Sequence, residues 1–413
     1  MDLLVEKIDG SRYYLSQYKV LITDFEESAP SVTRNSKQLD QRNGSIDFGG
    51  WHTDKTISVT GYYRADDIDE EETLREKLYA LLSDPDGYYI TQLKTTPSMA
   101  MERPGETSGD YYDKLSNYPS HKRFLVYTEA PEMELVGNVG GTLLYKLTAE
   151  FKTMKLPYGE SVPRNFDVKP NVPYYGRNLI VRTGEIVNSI LSADGGKLLE
   201  FNQGSVMRDK IAVTAGEKMT FHQEQPVDTT YCFRYNWYDA DGTYLSRGSQ
   251  VGKGLFTVTV PANAAALWVS YPNVGRVKVE RGTTATDWSP APEDTEYNAW
   301  YTKTYYNTKN LAIPYAGTVP CNQLEQGFTI EMTAKEAASS LSLKIDDTEL
   351  IYNGAVAAGD VFMFSGFSYT KNKLSIVSKT NKAYFILQPD KPNRITCNVP
   401  GIVRILGFQN LYA

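Results

Sequence analysis

The sequence predicts a mainly β protein made of several β-sandwich-type domains, with one α-helix near its start. Apolar and polar residues alternate with a period of two along most of the chain, as in Leu143–Thr153. Turn pairs such as Asp241-Gly242 and Asn353-Gly354 separate the alternating runs. Only one segment has the apolar spacing of a helix, and 413 residues are enough for two to four domains.

The predicted helix lies in Asp69–Ser83. Its leucines recur at i, i+4, i+7 and i+8, which places them on one helical face: Leu74, Leu78, Leu81 and Leu82. The acids from Asp69 to Glu72 favour a helix N-terminus, because the helix dipole stabilises negative charge there. Asp84–Gly87 ends the helix.

We assign residues 1–157 to a first domain that combines β-strands with this helix. Its predicted strands are Tyr13–Thr23, Thr56–Arg64, Tyr88–Leu93, Arg123–Thr128 and Leu143–Thr153. The segment around Gly44-Ser45 and Gly49-Gly50 is interpreted as a turn region. Residues 95–121, rich in Pro, Gly, Ser and Tyr, predict a long loop or arm of the kind that is usually functional or disordered. Residues 158–175 contain three prolines and predict a semi-rigid extended linker.

Two further β-domains follow. Residues 176–294 contain short strands with turn signals and no helix, which favours a jelly-roll sandwich that closes with two strands in 266–281. Residues 295–413 are predicted to be all β, with strands that begin at Ala299–Tyr306 and end at Val403–Phe408.

Composition and motifs argue against several classes of function. The net charge is -7 and no block of Lys or Arg occurs, which argues against nucleic acid as the main partner. No apolar run reaches membrane-spanning length and no signal peptide is recognised, so we expect folding in a cytoplasm. Three distant cysteines, Cys232, Cys321 and Cys397, are expected to be buried free thiols rather than disulfides.

No catalytic or metal-binding pattern stands out. The sequence has no nucleophile elbow, zinc-protease motif or Cys–His pair in a plausible setting, so we expect no enzyme activity, although a hydrolytic pair of carboxylates leaves no sequence signature. Asp239–Gly242 has some character of a calcium loop, but position 12 is Gln250 and a β-turn is the better interpretation. We expect neither cofactor nor metal from these motifs.

One candidate binding surface is predicted in the middle domain. In the run from Tyr231 to Tyr238 the odd-numbered residues suit the core, and the even-numbered ones face outward. Aromatic rings stack on sugar faces and planar polar groups bind hydroxyls, so a carbohydrate-binding surface is predicted from His222, Arg234, Asn236, Tyr238 and Trp268. The alternative is that these are separate surface residues, or that Trp268 covers a sheet edge. Trp288 is interpreted as a packing residue of the closing segment.

The closing segment of the middle domain, VKVERGTTATDWSPAPED, resembles that of carbohydrate-binding-type jelly-roll modules in tail and baseplate proteins of phages of Gram-positive bacteria. Gly176–Ile180 resembles the opening of such modules, and the likeness covers about residues 176–294. The order of strands, acid-led helix and arm in the first domain resembles siphophage distal tail proteins. Tyr315–Pro320, YAGTVP, resembles a turn at the start of their galectin-like C-terminal domain, with Ala316 before the glycine.

The resemblance implies a structural protein of the phage tail tip, assembled in the host cytoplasm. It implies a homo-oligomeric, hexameric ring that joins the tail tube protein and the tape-measure end to tail-associated lysin or fibre proteins. The middle module would bind host cell-wall polysaccharide, and a structural calcium ion in it is compatible with the family. A receptor-binding adhesin and, less favoured, a cell-wall glycoside hydrolase with its dyad in 295–413 remain alternatives.

Overall fold

The computed structural model is mainly β, as predicted: 49% of residues lie in strands and 9% in helices. It describes residues 1–41, 43–94, 119–193, 197–224, 233–248 and 254–413. Most of the predicted arm 95–121, together with Cys232, lies outside the described residues. None of the helices in these ranges has the length and apolar character needed to cross a lipid bilayer.

The first domain is built on one eight-stranded sheet. Its strands follow the order β2-β1-β7-β8-β10-β6-β3, with β9 paired to β10. The long central pair, β6 and β10, buries one face of each strand, because alternate residues such as Val59 and Phe151 point to the same side. The strands are β1 Asp2–Lys7, β2 Arg12–Tyr14, β3 Val20–Glu27, β4 Val32–Gln38, β5 Ser45–His52, β6 Thr56–Ala65, β7 Tyr88–Leu93, β8 Phe124–Thr128, β9 Glu132–Val139 and β10 Thr142–Thr153, with a 3-10 helix at Leu15–Tyr18.

The predicted helix is confirmed as α1, Ile68–Leu82. The carboxylate of Asp67 accepts a hydrogen bond from the Glu70 amide at 2.7 Å, which satisfies one free amide of the first turn. The four leucines that predicted its apolar face are all buried against the sheet. Glu71 on the same helix accepts a hydrogen bond from the Tyr63 hydroxyl at 3.0 Å and so fixes the helix against β6.

The segment that we interpreted as a turn region forms a β-hairpin instead. Strand β4 has seven residues and strand β5 has eight. They pair with each other and, within the described ranges, with no other strand. Every residue of β4 is exposed, and so is every residue of β5 except the half-buried Ile46. The turn prediction was wrong because VTRNSKQ and SIDFGGWH lack the alternation that burial against a core imposes on a strand. We call residues 32–52 the hairpin.

A charged cluster lies at the root of the hairpin. The Lys55 ammonium is buried, with 2% of its side chain exposed, and lies 3.0 Å from the Glu27 carboxylate. Lys122 reaches the other oxygen of the same carboxylate. Burial alone would raise the pKa of Glu27, but the hydrogen bonds from Lys122 and Lys55 outweigh it and hold this pKa below its usual range.

We expect Glu27→Gln to destabilise the first domain by about 2–3 kcal/mol, because it leaves the buried Lys55 without a counter-ion. The pH dependence follows from the lowered pKa: the Glu27 contribution is complete above the unfolded pKa of about 4.3 and is lost as the pH falls through the lower folded value. Urea unfolding from pH 7 to pH 3 should therefore show the gap between wild type and variant closing at low pH. A constant gap would contradict this assignment, and Glu129→Gln, in an exposed ion pair with Lys152, is the control.

The linker joins the last domain by strand pairing. Strand β11, Gly159–Glu160, pairs with the final strand, and β12, Arg164–Val168, pairs with the penultimate one. Residues 169–175 have no regular structure. At their end the Tyr175 ring packs edge-to-face on Trp300, with ring centroids 5.1 Å apart. The two chain segments that flank residues 176–294 are therefore in contact.

The middle module, residues 176–294, folds as two sheets packed face to face. The larger sheet follows the order β13-β14-β20-β17-β18 with β15 also on β20, and the smaller one the order β19-β16-β21. Phe221 of the small sheet packs between them near Tyr235 and Phe256. The strands are β13 Ile186–Leu191, β14 Leu198–Val206, β15 Ile211–Ala212, β16 Lys218–Glu224, β17 Arg234–Tyr238, β18 Tyr244–Arg247, β19 Leu255–Thr259, β20 Ala266–Pro272 and β21 Arg276–Arg281.

Hydrogen bonds join the opening segment of this module to its closing segment. The buried Asn178 amide donates to the carbonyls of Val277 and Ser289 at 3.1 and 3.0 Å. The Asp294 carboxylate accepts hydrogen bonds from the backbone amides of Arg182 and Thr183 at 2.7 and 3.0 Å. Both ends of the module thus lie side by side, because the buried polar groups of one end are satisfied by the other.

The last domain is a second two-sheet sandwich with its own core. One sheet follows the order β12-β32-β24-β27-β28-β29, the other the order β22-β31-β25-β26. The strands are β22 Leu311–Ala312, β23 Cys321–Asn322, β24 Thr329–Ala334, β25 Leu341–Ile345, β26 Thr348–Tyr352, β27 Val361–Phe364, β28 Tyr369–Lys371, β29 Leu374–Ser375, β30 Ile386–Leu387, β31 Arg394–Cys397, β32 Gly401–Phe408 and β33 Leu411–Tyr412, with a 3-10 helix at Val377–Lys379.

Two short helices in this domain correct the prediction of a single helix. Helix α2, Tyr297–Tyr305, replaces the strand predicted at Ala299–Tyr306, and α3 is Gln323–Gln326. The aromatic and Thr residues of α2 suggested a strand, but strand preference depends on a neighbouring strand to pack against, and here the segment turns back onto the linker. Cys321 and Cys397 are buried free thiols, as expected.

Candidate functional site

The residues predicted to bind carbohydrate lie on two opposite outer faces of the middle module. Arg234, Asn236 and Tyr238 alternate with core residues on β17, and Trp268 lies directly opposite Asn236 on β20. These four residues therefore share the outer face of the larger sheet. His222 lies on β16 of the smaller sheet, next to the core residue Phe221, and so faces outward on the opposite side of the sandwich. The prediction that His222 converges with the other four is wrong, because sequence alternation gives the face of a strand but not the sheet to which it belongs.

Loops cover much of the shared face. Only 1% of Asn236 and 5% of Tyr238 are exposed, so neither is open to a large ligand. The Asn236 amide donates to the Ser192 carbonyl at 3.4 Å, from the loop after β13. The Trp268 indole donates to the Met207 carbonyl at 2.7 Å, from the loop between β14 and β15. Arg234 and Trp268 are half-buried.

Sequence reasoning missed the cation that lies on this face. The Lys210 ammonium is 3.6 Å from the centroid of the Tyr238 ring and 5.6 Å from that of Trp268. The side chain is exposed, and its positive charge is attracted by the negative faces of both rings. Burial raises the pKa of the Tyr238 hydroxyl. A lysine in a short polar loop has no pattern that would single it out in the sequence.

A groove of about 630 Å³ adjoins the same loop. Residues from the module's opening segment, from the segment 207–212 and from the end of β21 line it, among them Arg177, Leu179, Arg208, Lys210 and Arg281. Arg177 pairs with Glu293 and Arg281 with Glu217. Within the described ranges Arg208 and Lys210 form no ion pair, so two cations remain available at the groove.

This arrangement offers chemical groups of the kind that bind ligands. Exposed cations beside aromatic rings provide hydrogen-bond donors and stacking surfaces for sugars and for acidic groups attached to them. Among the described residues no group of three or more His, Cys, Asp or Glu side chains is arranged to hold a metal ion.

The first domain carries the likeness to a known family. Helix α1, the hairpin and strands β2 to β8 lie within the matching region, whereas β1 and β10 lie outside it. Residues 8–137 match the family model of the phage tail protein RIFT-related domain. The match covers less than half of the chain and runs from the turn after β1 into β9. None of the curated proteins matches the sequence.

Three chains from solved phage structures align with this chain at low sequence identity and low TM-score. The Dit (gp 19.1) protein of phage SPP1, described as a paradigm of the hub adsorption apparatus in phages that infect Gram-positive bacteria, aligns over 100% of this chain and 99% of its own, with a TM-score of 0.43 and 8% identity. A chain of the phage P2 baseplate in its activated conformation with Ca aligns over 99% of this chain and 97% of its own, with a TM-score of 0.34 and 7% identity. A chain of the phage p2 baseplate with Sr aligns over 69% of this chain and 98% of its own, with a TM-score of 0.28 and 8% identity.

Proposed function

We propose that this protein is a structural component of a siphophage tail tip, a distal-tail-type baseplate hub that forms a ring and carries a carbohydrate-binding module. The match of residues 8–137 to a phage tail-protein domain is the observation that carries this proposal. The ring, hexameric by the resemblance, would join the tail tube and the tape-measure end to lysin or fibre proteins. No enzyme activity is part of the proposal.

The middle module would act as an insertion that contacts host cell-wall polysaccharide. Its two ends are held together by Asn178 and Asp294, as expected of a module set into a continuous protein body. The segment 207–212 would provide the contact, with Lys210 and Arg208 as donors and Trp268 beside Lys210. Of the residues predicted from sequence, Arg234 and Trp268 keep exposed surface there, whereas Asn236 and Tyr238 would support the face from below.

Assembly is tested on the full chain by light scattering and negative-stain electron microscopy. We expect a closed ring with peripheral knobs that are lost when residues 176–294 are deleted. A protein that stays monomeric or forms a compact trimer at all concentrations would contradict the hub and favour the receptor-binding adhesin.

Carbohydrate binding is tested by sedimentation of the protein with purified host cell wall. We expect Lys210→Gln to weaken binding about 10-fold or more, because a charge-assisted hydrogen bond contributes about 1.5–3 kcal/mol. Lys218→Gln makes the same change of charge on the opposite sheet and is the matched control. His222→Gln should also bind as the wild type does; an equal loss in all three variants would contradict the assigned face.

A further inference from the structure

The groove beside the segment 207–212 is positively charged, although the chain as a whole carries a net charge of -7. Its lining contains four cations and two acids: Arg177, Arg208, Lys210, Arg281, Asp209 and Glu293. The other residues of the lining are uncharged, so the groove has an excess of two positive charges. A concave surface of one sign of charge concentrates ions of the opposite sign, which points to an anionic ligand.

The four cations differ in how firmly the module itself holds them. Arg177 and Arg281 form ion pairs within the module, but their side chains are 62% and 49% exposed. Exposed ion pairs contribute little to stability, so a ligand can compete for both guanidinium groups. Arg208 and Lys210 are exposed and form no ion pair with any part of the chain that the structure describes. Two cations are therefore available at once, and two more can join them.

The ring next to Lys210 adds a surface for a sugar. The Lys210 ammonium lies 5.6 Å from the centroid of the Trp268 ring, which is half-buried. An aromatic ring offers an apolar face on which the C–H face of a sugar stacks, and an acidic substituent of that sugar would lie within reach of the ammonium. The guanidinium of Arg208 can bind two oxygens of a phosphate or carboxylate at once. The site thus combines groups for a sugar ring with groups for its acidic substituents.

The acid Asp209 lies between the two available cations in the sequence and distinguishes two kinds of ligand. Its side chain is exposed, lines the same groove and forms no ion pair within the described ranges. A neutral sugar would use this carboxylate as a hydrogen-bond acceptor, whereas an anionic ligand would be repelled by it. Removing the charge of Asp209 should therefore weaken the binding of a neutral ligand and strengthen that of an anionic one.

We propose that this groove binds an anionic polysaccharide, whose acidic groups are phosphates or carboxylates held by Arg208 and Lys210. This inference rests on the proposed binding of cell-wall polysaccharide and names the class of polymer. The cations come from three segments of the module: the opening segment, the segment 207–212 and the end of β21. A polymer that repeats its acidic group would meet several of them, so it is favoured over a single charged sugar.

Sedimentation of the full chain with purified host cell wall at about 50 and 200 mM NaCl tests the charge of the ligand. Contacts with two acidic groups should lower the affinity about 10-fold over this range, because binding releases the polymer's counter-ions and added salt opposes that release. Arg208→Gln with Lys210→Gln should bind more weakly at low salt and lose affinity less steeply as salt is added. Lys218→Gln with Arg276→Gln makes the same change of net charge on the smaller sheet, outside the groove, and should keep the salt dependence of the wild type.

Asp209→Asn gives the sharpest result, because a damaged fold would not increase the affinity. We expect this variant to bind the wall about 2- to 5-fold more tightly than the wild type at low salt. Soluble poly(glycerol phosphate), polygalacturonate and dextran, added as competitors, then compare phosphate, carboxylate and no charge. Displacement by either charged polymer at a lower concentration than dextran requires would support the inference and identify the acidic group.

The opposite results are equally clear. Wall binding that is independent of salt, displaced as well by dextran as by the charged polymers, and not strengthened by Asp209→Asn would overturn the anionic ligand while leaving wall binding in place. A full chain that does not bind the wall at any salt concentration would instead contradict the proposed function, and this inference with it.

Discussion

Replacing Lys278 by methionine is expected to destabilise the middle module by about 3–5 kcal/mol, the cost of leaving one member of a buried ion pair alone. The Lys278 side chain is fully buried, and its partner Glu280 is 4% exposed at 3.6 Å. The ammonium donates to the Thr286 hydroxyl at 2.6 Å and to the Asp287 carbonyl at 2.7 Å. The variant therefore loses the ion pair together with two bonds that hold the closing segment on β21.

The same network explains why the loss should be large at this position. The Glu280 carboxylate also accepts hydrogen bonds from the Thr286 amide and hydroxyl, at 2.6 and 2.7 Å. These bonds remain in Lys278→Met, but the negative charge stays buried without its cation. Burial also lowers the pKa of Lys278, since the interior opposes the charged form, and Glu280 counteracts this shift.

Urea unfolding of the full chain, followed by the near-ultraviolet signal of the module's aromatic residues, measures the effect. Lys218→Met on the exposed side of β16 is the control and should change stability by less than about 0.5 kcal/mol. Adding Glu280→Gln to Lys278→Met removes the unpaired charge and should recover part of the loss. Equal stability of Lys278→Met and the control would contradict a role of this network in closing the module.

Secondary structure was predicted correctly where one face of a segment is buried in a core, because burial fixes the spacing of the apolar residues. Helix α1 was predicted because its four leucines must share one face to be buried, and β10 because alternate residues must point into one core. The hairpin was missed for the opposite reason: it is exposed on both faces, so no core selects its side chains. Helix α2 was predicted as a strand because its aromatic residues are typical of strands. In the structure they pack on the linker, a contact that the local sequence does not indicate.

The candidate site shows the same limit at the level of single residues. Alternation along β17 correctly placed Arg234, Asn236 and Tyr238 opposite the core. It could not indicate that loops cover Asn236 and Tyr238, nor that Lys210 would lie over the Tyr238 ring. Such contacts depend on loop paths between strands that are distant in sequence.

The second large effect concerns the gain in wall binding from assembly. If each copy in a ring presents one weak sugar site, binding of the first site raises the effective concentration of the others at a polymer surface. We therefore expect the assembled ring to bind purified cell wall about 100- to 10,000-fold more tightly than the same protein diluted until it is monomeric.

Binding isotherms of the ring and of the diluted monomer on the same wall preparation measure this gain. Lys210→Gln in each form separates the affinity of one site from the gain through assembly. In the monomeric background Lys210→Gln should lower the affinity by the effect of one site. In the ring the same change is repeated in every copy, so its effect should be larger. Equal affinity of ring and monomer would mean that one module binds the wall unaided, and this outcome would favour the adhesin over a hub whose adsorption depends on assembly.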